Sequence, residues 1–501
     1  MSGSLNPSSL TRLLGEWNRG GAPAYRELAD VVRLLVLDGR VPLDMALPSE
    51  RALATTLGVS RTTVTAAYAS LREQGFLSSG QGSRGRTRIP RQPPLGTPGT
   101  NDAGRTATNV PSGAPGLAAP EGVIDLAFAS LPACGEVVHR AFAAALTELP
   151  ALLPGFGYDA VGVKPLREAI AARYTAAGVP TTEEQILVTS GAQHALSIIL
   201  RTLGGKQDKV LVDHPSYPHA IDAIRASGCR PIPVALPHRS FQHAAGWDLD
   251  AVQSTMMQQR PTMAYVVPDF HNPTGRLMLD PQRRQLVRAA AASGTVLVVD
   301  ETLRELNLDG VSTSPLAAFS PAVVTIGSLS KSHWAGLRTG WIRASPPLIQ
   351  RFAAARTTMD LGGAVVEQLA AAHLVRSLSE PLPARLEALR GNRDTLLELI
   401  RTHLPQWQAE RPDGGLSIWC RLPAPISTAL TVIAPDFGIR LAAGPRFGVG
   451  GAFEHYLRVP FTRPPKQLET AVLALRSAQE RLNAAPQLRR SRQQRPAAAI
   501  A

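Results

Sequence analysis

Two hydrophobic periods divide the chain. Near the N-terminus, Tyr25, Leu28, Ala29, Val32, Leu35 and Val36 recur at helical spacing and predict an amphipathic helix that Gly39 ends. Ser49 then caps a second helix, Glu50 to Leu57, and Gly58 provides a turn. Ser60 caps a third, Arg61 to Gln74, whose Val64, Ala67, Tyr68 and Leu71 share one apolar face. Helix, glycine turn, helix is a helix-turn-helix pattern. Phe76–Ser78 and Arg86–Ile89 predict the two strands of a wing, with Gly80, Gly82 and Gly85 at its tip. This places a compact unit at 22–91 behind an N-terminal arm, 1–21.

From Ile124 the pattern becomes strand–helix alternation. Gln185–Thr189, Val210–Asp213, Met263–Pro268, Val296–Asp300 and Ala322–Ile326 are short apolar runs, which predict buried parallel strands of an α/β domain over 121–374. Ligands of such sheets sit beyond the carboxyl ends of the strands. A smaller α+β lobe is expected over 375–482, with Asp413–Trp419 as turn and strand and Arg458 inside the strand Tyr456–Pro460. Residues 92–120 are rich in Pro, Gly, Thr and Ala and read as a flexible linker of roughly 25–35 Å, a regulatory tether or a plain spacer. The tail, 483–501, is basic.

Charge adds less than it promises. A net +13 carried mostly by arginine suits a polyanionic partner, but a GC-rich coding bias also enriches arginine. Three scattered cysteines make neither a disulfide framework nor a metal site. There is no leader pattern and no apolar run of about 18 residues, so a cytoplasmic location off the membrane is expected.

Lysine is scarce: Lys331 is one of five in a chain with 52 Lys+Arg. A primary amine, unlike a guanidinium, can lose its proton in a dry pocket and form a Schiff base with an aldehyde. Ser328 and Arg338 beside it suit a phosphate. Aldehyde and phosphate together describe pyridoxal 5′-phosphate (PLP), although a solvated lysine after a strand fits the segment equally well. Other polar residues also fall at strand ends. Ser190, Gly191, Ala192 and Gln193 open a helix whose N–H groups can cradle a phosphate, or merely cap it. Tyr217 stacks on a ring or packs a turn. Asn272 lies in an Asn-Pro-Thr-Gly turn. Asp300 is a carboxylate in an apolar setting that needs a partner, either a pyridinium nitrogen or the next helix. In the head, Ser60, Arg61, Thr62 and Thr63 begin the third helix, the end from which recognition helices read bases. Arg51 projects from the preceding helix, and Gly82 and Arg84 belong to a basic wing suited to phosphates.

Ser328-Leu-Ser-Lys331, followed by Gly336-Leu-Arg-Thr-Gly-Trp341, resembles the cofactor-lysine segment of class I/II aminotransferases. Its short lysine-to-arginine gap is most similar to MocR-type regulators of the GntR family. Leu47-Pro-Ser-Glu-Arg-Ala-Leu-Ala54 with Leu57-Gly-Val-Ser-Arg-Thr-Thr-Val64 resembles the GntR winged helix, departing from it only at Val41-Pro-Leu-Asp44, where a Pro-Gly turn is commoner. The resemblance implies a winged helix-turn-helix (α+β) joined to an α/β PLP-dependent transferase-like domain of fold type I with a small C-terminal α+β lobe. It implies Lys331 as Schiff-base lysine and the cofactor phosphate at Ser190–Gln193, Ser328 and Arg338. Tyr217 would stack on the ring, Asn272 meet its hydroxyl and Asp300 its nitrogen. Tyr158, in the arm Gly157–Gly162, would reach the phosphate in a partner subunit. Arg458 would take a substrate carboxylate, with a surface salt bridge as the alternative. The sequence departs from the family after Asp300, where Glu301-Thr-Leu303 lacks the usual tyrosine; this argues against efficient transamination and not against cofactor binding. The function implied is a homodimeric regulator binding operator DNA and sensing PLP or an amino compound, with residual half-transamination. The alternatives are an aminotransferase with an appended head and a sensor without covalent chemistry; Lys331, Asp300, Asn272 and Arg338 oppose the last.

Overall fold

The computed structural model describes residues 5–15, 17–18, 23–37, 41, 46–73, 76–79, 87–88, 122–237 and 246–484. In the head, α1 (Pro7–Leu14) and α2 (Ala24–Leu37) precede α3 (Glu50–Leu57) and α4 (Arg61–Glu73). The Ser49 hydroxyl accepts from Ala52 N at 3.3 Å, and Gly58 turns the chain in the left-handed region at φ 67°. Ser60 accepts from Thr63 N at 3.1 Å and so caps α4. Val64, Ala67, Tyr68 and Leu71 are buried, and the Tyr68 hydroxyl donates to Pro48 O at 3.0 Å. A short hairpin, β1 (Ser78–Ser79) against β2 (Thr87–Arg88), follows. Helix α1 is a finding that the periodicity reading did not anticipate. Leu10, Leu14 and Trp17 enter the same core as Leu28, Val32 and Tyr68, so the first segment helps to build the head. The wing tip with Gly82 and Arg84, the linker 92–120 and the tail beyond 484 lie outside the described residues.

The large domain begins after β3 (Ile124–Asp125) with α5 (Gly135–Glu148) and α6 (Lys164–Ala176). Then come β4 (Ile186–Thr189), α7 (Ala192–Leu203), β5 (Lys209–His214), α8 (Pro218–Ala226), β6 (Arg230–Ala235), α9 (Leu249–Gln259), β7 (Met263–Val266), α10 (Asp280–Ser293), β8 (Val296–Asp300), β9 (Val324–Ser328) and β10 (Gly340–Arg343). Helices α11 (Pro346–Arg356) and α12 (Val365–Arg376) complete the layers. The sheet order is β4-β10-β9-β8-β7-β5-β6. Five parallel strands were expected; there are seven, and β10 runs antiparallel to both β4 and β9. The two extra strands hide for physical reasons. β6 reads Arg-Pro-Ile-Pro-Val-Ala, and its prolines are tolerated because it lies at the edge. β10 is four residues long and gives no measurable period.

Both faces of the sheet are buried. Ile186, Val188, Leu211, Ala264, Val266, Leu297, Val299 and Trp341 enter one core; Leu187, Val210, Val212, Met263, Tyr265, Val298 and Ile342 enter the other. The alternation explains why these strands read as near-continuous apolar runs. Toward the C-terminus, β11 (Gln408–Ala409), β12 (Ser417–Arg421) and β14 (Tyr456–Pro460) make an antiparallel sheet, while β13 (Ile439–Arg440) pairs in parallel with β3. The described residues fall into two compact units: the large sheet with 128–425 and 447–469, and the head with 122–127, 426–446 and 470–484. Among the described residues no helix is long and apolar enough to cross a membrane.

Leu10 is fully buried, so Leu10→Ala is expected to cost the head about 2–5 kcal/mol. Hydrogen exchange in α2–α4 of the full chain should accelerate; unchanged protection would mean that α1 contributes no stability.

Candidate functional site

At one edge of the large sheet, Thr189, Gly340 and Ser328 face one another across β4, β10 and β9. Just beyond this row, Ser190 and Gly191 open α7. Arg338 adopts a left-handed φ of 47°, and its Nη2 donates to Ser190 O at 3.0 Å. A Cβ on Gly191 would lie 2.8 Å from Arg338 Nη2, and one on Gly340 would lie 2.7 Å from the Gly191 carbonyl carbon. Only glycine permits this approach of a helix N-terminus to a guanidinium, and the pairing favours an anion. The Ser328 hydroxyl donates to Thr339 O at 2.9 Å and accepts from Ser330 N at 3.1 Å, which pins the turn carrying the lysine. Ala192 is the first residue of α7. Gln193 spends its amide on His219 O at 3.0 Å, tying α7 to α8, so its backbone remains for an anion and its side-chain amide is engaged.

Lys331 follows β9, and its Nζ donates to Ala129 O at 2.8 Å. Burial, and then the charge of Arg458, lower its pKa to about 8, against the opposing pull of Asp300. Asp300, the last residue of β8, is buried. Its Oδ2 accepts from the Tyr265 hydroxyl at 2.6 Å and its Oδ1 from Thr302 N at 2.9 Å. Tyr217 is the N-cap residue immediately before α8; burial, then the charge of Asp300, push its phenol up to about 12, while Arg458 and Arg338 pull it down. Arg458, on β14, is buried and donates from Nη1 to Asn272 Oδ1 at 3.5 Å, with its guanidinium 5.0 Å from the Phe447 ring centroid. Lys331, Asp300, Tyr217, Arg338, Asn272 and Arg458 are thus drawn into one neighbourhood.

Tyr158 is not part of it. It is 76% exposed beside a Phe156 that is 99% exposed. The root of that arm is rigid: Asp159 Oδ1 accepts from Val161 N at 3.0 Å and Gly162 N at 2.9 Å. A Cβ on Gly162 would lie 2.5 Å from Val188. Tyr265 is the participant that sequence reasoning missed. Its one signal is a hydroxyl inside an otherwise apolar strand, which must find a partner when buried.

In the head, Arg51, Ser60, Arg61 and Thr62 are exposed and Thr63 is half-buried. The Ser60 hydroxyl lies 2.7 Å from Thr62 Oγ1 and 2.8 Å from Thr63 Oγ1, so these side chains form one fixed polar cluster at the start of α4. Glu50 is spent on Thr65 Oγ1 at 2.8 Å and Arg72 Nη2 at 3.1 Å, which locks α3 onto α4.

The large-domain donor set fits PLP. A buried amine of lowered basicity suits an aldehyde, the Gly191–Arg338 cradle suits a phosphate, and the Asp300 carboxylate suits a ring nitrogen. Residues 156–475 match the family model of aminotransferase class I and II, and residues 24–86 that of bacterial regulatory proteins, gntR family. The chain is 29% identical to a 2-aminoadipate transaminase of Thermus thermophilus, over 60% of this chain and 75% of that one. It is 26% identical to the HTH-type transcriptional regulator YdfD of Bacillus subtilis, over 81% of this chain and 86% of that one. Among solved structures, it is similar to LysN, an alpha-aminoadipate aminotransferase of Thermus thermophilus, complexed with N-(5'-phosphopyridoxyl)-L-leucine. The TM-score is 0.66 at 28% identity, covering 73% of this chain and 94% of that one.

The neutral amine is the nucleophile, so capture of an aldehyde by Lys331 should rise with pH and level off above about 8, where an ordinary lysine keeps rising to about 10.5. Borohydride trapping followed by peptide mass measurement gives the profile; a midpoint at the ordinary lysine value would show that the amine is not desolvated.

Proposed function

We propose that this chain, which belongs to the class I and II aminotransferase family and carries a GntR-type winged helix at its head, is a DNA-binding transcription regulator that responds to PLP. The observation that carries this reading is the coexistence of the buried Lys331–Asp300–Arg458 neighbourhood and the Gly191–Arg338 cradle with an exposed helix-turn-helix. When bound, PLP supplies a reactive carbonyl on a ring that accepts electrons from a bound amine.

The residues divide the work. Lys331 presents a partly deprotonated amine to a carbonyl. Gly191, Ala192 and Gln193 would offer backbone N–H groups and Arg338 a guanidinium to the phosphate, with Ser328 bracing the turn; the Ser190 N–H is itself donated to His194 Nδ1 at 3.1 Å. Tyr217 would flank the ring, Asn272 would meet its hydroxyl, and Asp300 would hold a proton on its nitrogen. Arg458, buried beside Asn272, is placed for the carboxylate of an amino compound. Such an effector alters the protein only by binding one conformation better than another.

A homodimer is part of the proposal. Leu153, Phe156 and Tyr158 are 67%, 99% and 76% exposed at the end of a well-anchored arm, and a second subunit would bury them. Tyr158 would then reach the partner's phosphate site, and paired heads would read two half-sites. In the head, Arg61 and Thr62 at the exposed start of α4 would contact base edges, and Arg51 on α3 would contact the phosphates. Gly82 and Arg84 of the wing belong to the same proposed surface.

A second reading, an aminotransferase with an incidental head, is favoured by the enzymes among the relatives. It is opposed by Glu301-Thr-Leu303, which lacks the tyrosine that the family resemblance places two or three residues after Asp300. Steady turnover of an amino donor would decide for it.

Lys331→Ala is expected to remove the visible absorbance that PLP gives the wild-type chain. Arg61→Ala should lose specific binding to duplex from upstream of its own gene, at a cost of about 1–3 kcal/mol per base contact, with the spectrum unchanged. A wild-type chain that stays colourless with PLP while folded sinks the sensing half; specific binding that survives Arg61→Ala sinks the reading of α4.

A further inference from the structure

Asp300 is held from two sides. Thr302 N donates to Oδ1 from its own loop, and the Tyr265 hydroxyl donates to Oδ2 at 2.6 Å from the neighbouring strand β7. β7 and β8 pair in parallel, with Tyr265 opposite Val298, so the phenol reaches along the sheet toward the end of the next strand. Tyr265 is 1% exposed and its ring lies in the core with Val212, Val298 and Ile326. Burial, and then the negative charge of Asp300, push the phenol's pKa well above its ordinary value, so it is a donor throughout the working pH range. A carboxylate carries about four lone-pair sites, so two donors leave room for a third.

We propose that Tyr265 is a positioning residue for the cofactor's ring nitrogen, acting through Asp300; the inference rests on the PLP reading above. A buried carboxylate with only its own loop as support can swing about its side-chain torsions. The phenol removes that freedom from a second strand and fixes the free lone pairs toward the ring site. The chain thus keeps a phenol in its cofactor machinery although Leu303 replaces the one expected after Asp300. The two phenols differ in what they do. A tyrosine at 303 would address the ring hydroxyl, whereas Tyr265 addresses the carboxylate that holds the opposite side of the ring.

The test is a double-mutant cycle on the full-length chain, with PLP affinity read by absorbance titration. Tyr265→Phe removes one oxygen and leaves the ring that packs the core. It should weaken PLP binding about tenfold, the usual consequence of deleting a hydrogen bond to a charged group. In an Asp300→Asn background the same change should alter affinity less than about twofold, because its route of action is gone. Equal losses in both backgrounds, or no loss in either, overturn the proposal. So does a Tyr265→Phe chain that no longer folds by circular dichroism, since the hydroxyl then serves the core. A wild-type chain that fails to bind PLP sinks the functional reading as well; wild-type binding with an unaffected Tyr265→Phe sinks this inference alone.

Discussion

The large domain maintains one costly arrangement, a half-buried amine near a guanidinium. Burial and Arg458 both disfavour the charged form of Lys331, and Asp300 only partly offsets them. A shift from 10.5 to about 8 means that folding gives up about 3 kcal/mol at neutral pH. The sign follows from the charge: the cost is full below pH 8 and fades as pH climbs toward the value of the unfolded chain. A loop alone could not hold such a group. Here the turn leaves a strand buried on both faces, and Gly327 packs so closely under Trp341 that a Cβ would lie 2.2 Å from the indole. The rigidity of the sheet turns an unfavourable placement into a lasting one.

The cation inventory follows the same logic. Arg283, Arg356 and Arg393 are fully buried, yet each is tied down: Arg283 to Asp269 at 2.6 Å, Arg356 to Val188 O at 2.6 Å, and Arg393 to Asp309 at 3.0 Å. A guanidinium stays protonated under such conditions, so it serves where charge must persist. Arg458, buried, and Arg338, exposed but held to Ser190 O at 3.0 Å, also carry a charge that persists. Lys331 is the cation beside them that can change state within the physiological range. The composition anticipates this division, since a chain this poor in lysine has placed one where a proton must leave.

What could be read from the residues follows from which forces are local. Ser49, Gly58 and Ser60 act within one turn of their own helices, and the ends of α3 and α4 fall where those residues predict. The apolar runs that became β5, β7 and β8 were legible because both faces are buried. Helix α1 was missed although Leu10, Leu14 and Trp17 keep a helical period, because so short a segment gains its stability from the core it joins. β10 was missed because its orientation is set by β4 and β9, which lie far apart in sequence. The polar residues at the strand ends were individually ambiguous. Only the sheet order, which brings residues 189, 328 and 340 into one row, makes them one site. Tyr265 escaped for a similar reason, since a tyrosine in a strand looks like core until its partner on the next strand is known.

The pattern of what is present and what is absent bears on sensing against catalysis. Interactions that hold a ligand equally in its resting and reacting forms give affinity; only those that strengthen as the reaction proceeds give rate. On the proposed reading, the cradle at Gly191 and the Arg458 guanidinium are of the first kind, because they would address charges that a bound cofactor and an amino compound carry throughout, whereas Asp300 would hold a ring nitrogen whose charge changes as the ring takes up electrons. The tyrosine that Glu301-Thr-Leu303 lacks would, by the family resemblance, have stood beside the ring hydroxyl. On the proposed reading, its loss takes less from binding than from turnover. If such a site holds its ligand longer than it transforms it, as the regulator proposal has it, the long-lived complex is what a DNA-binding head requires for occupancy of one domain to be read by the other.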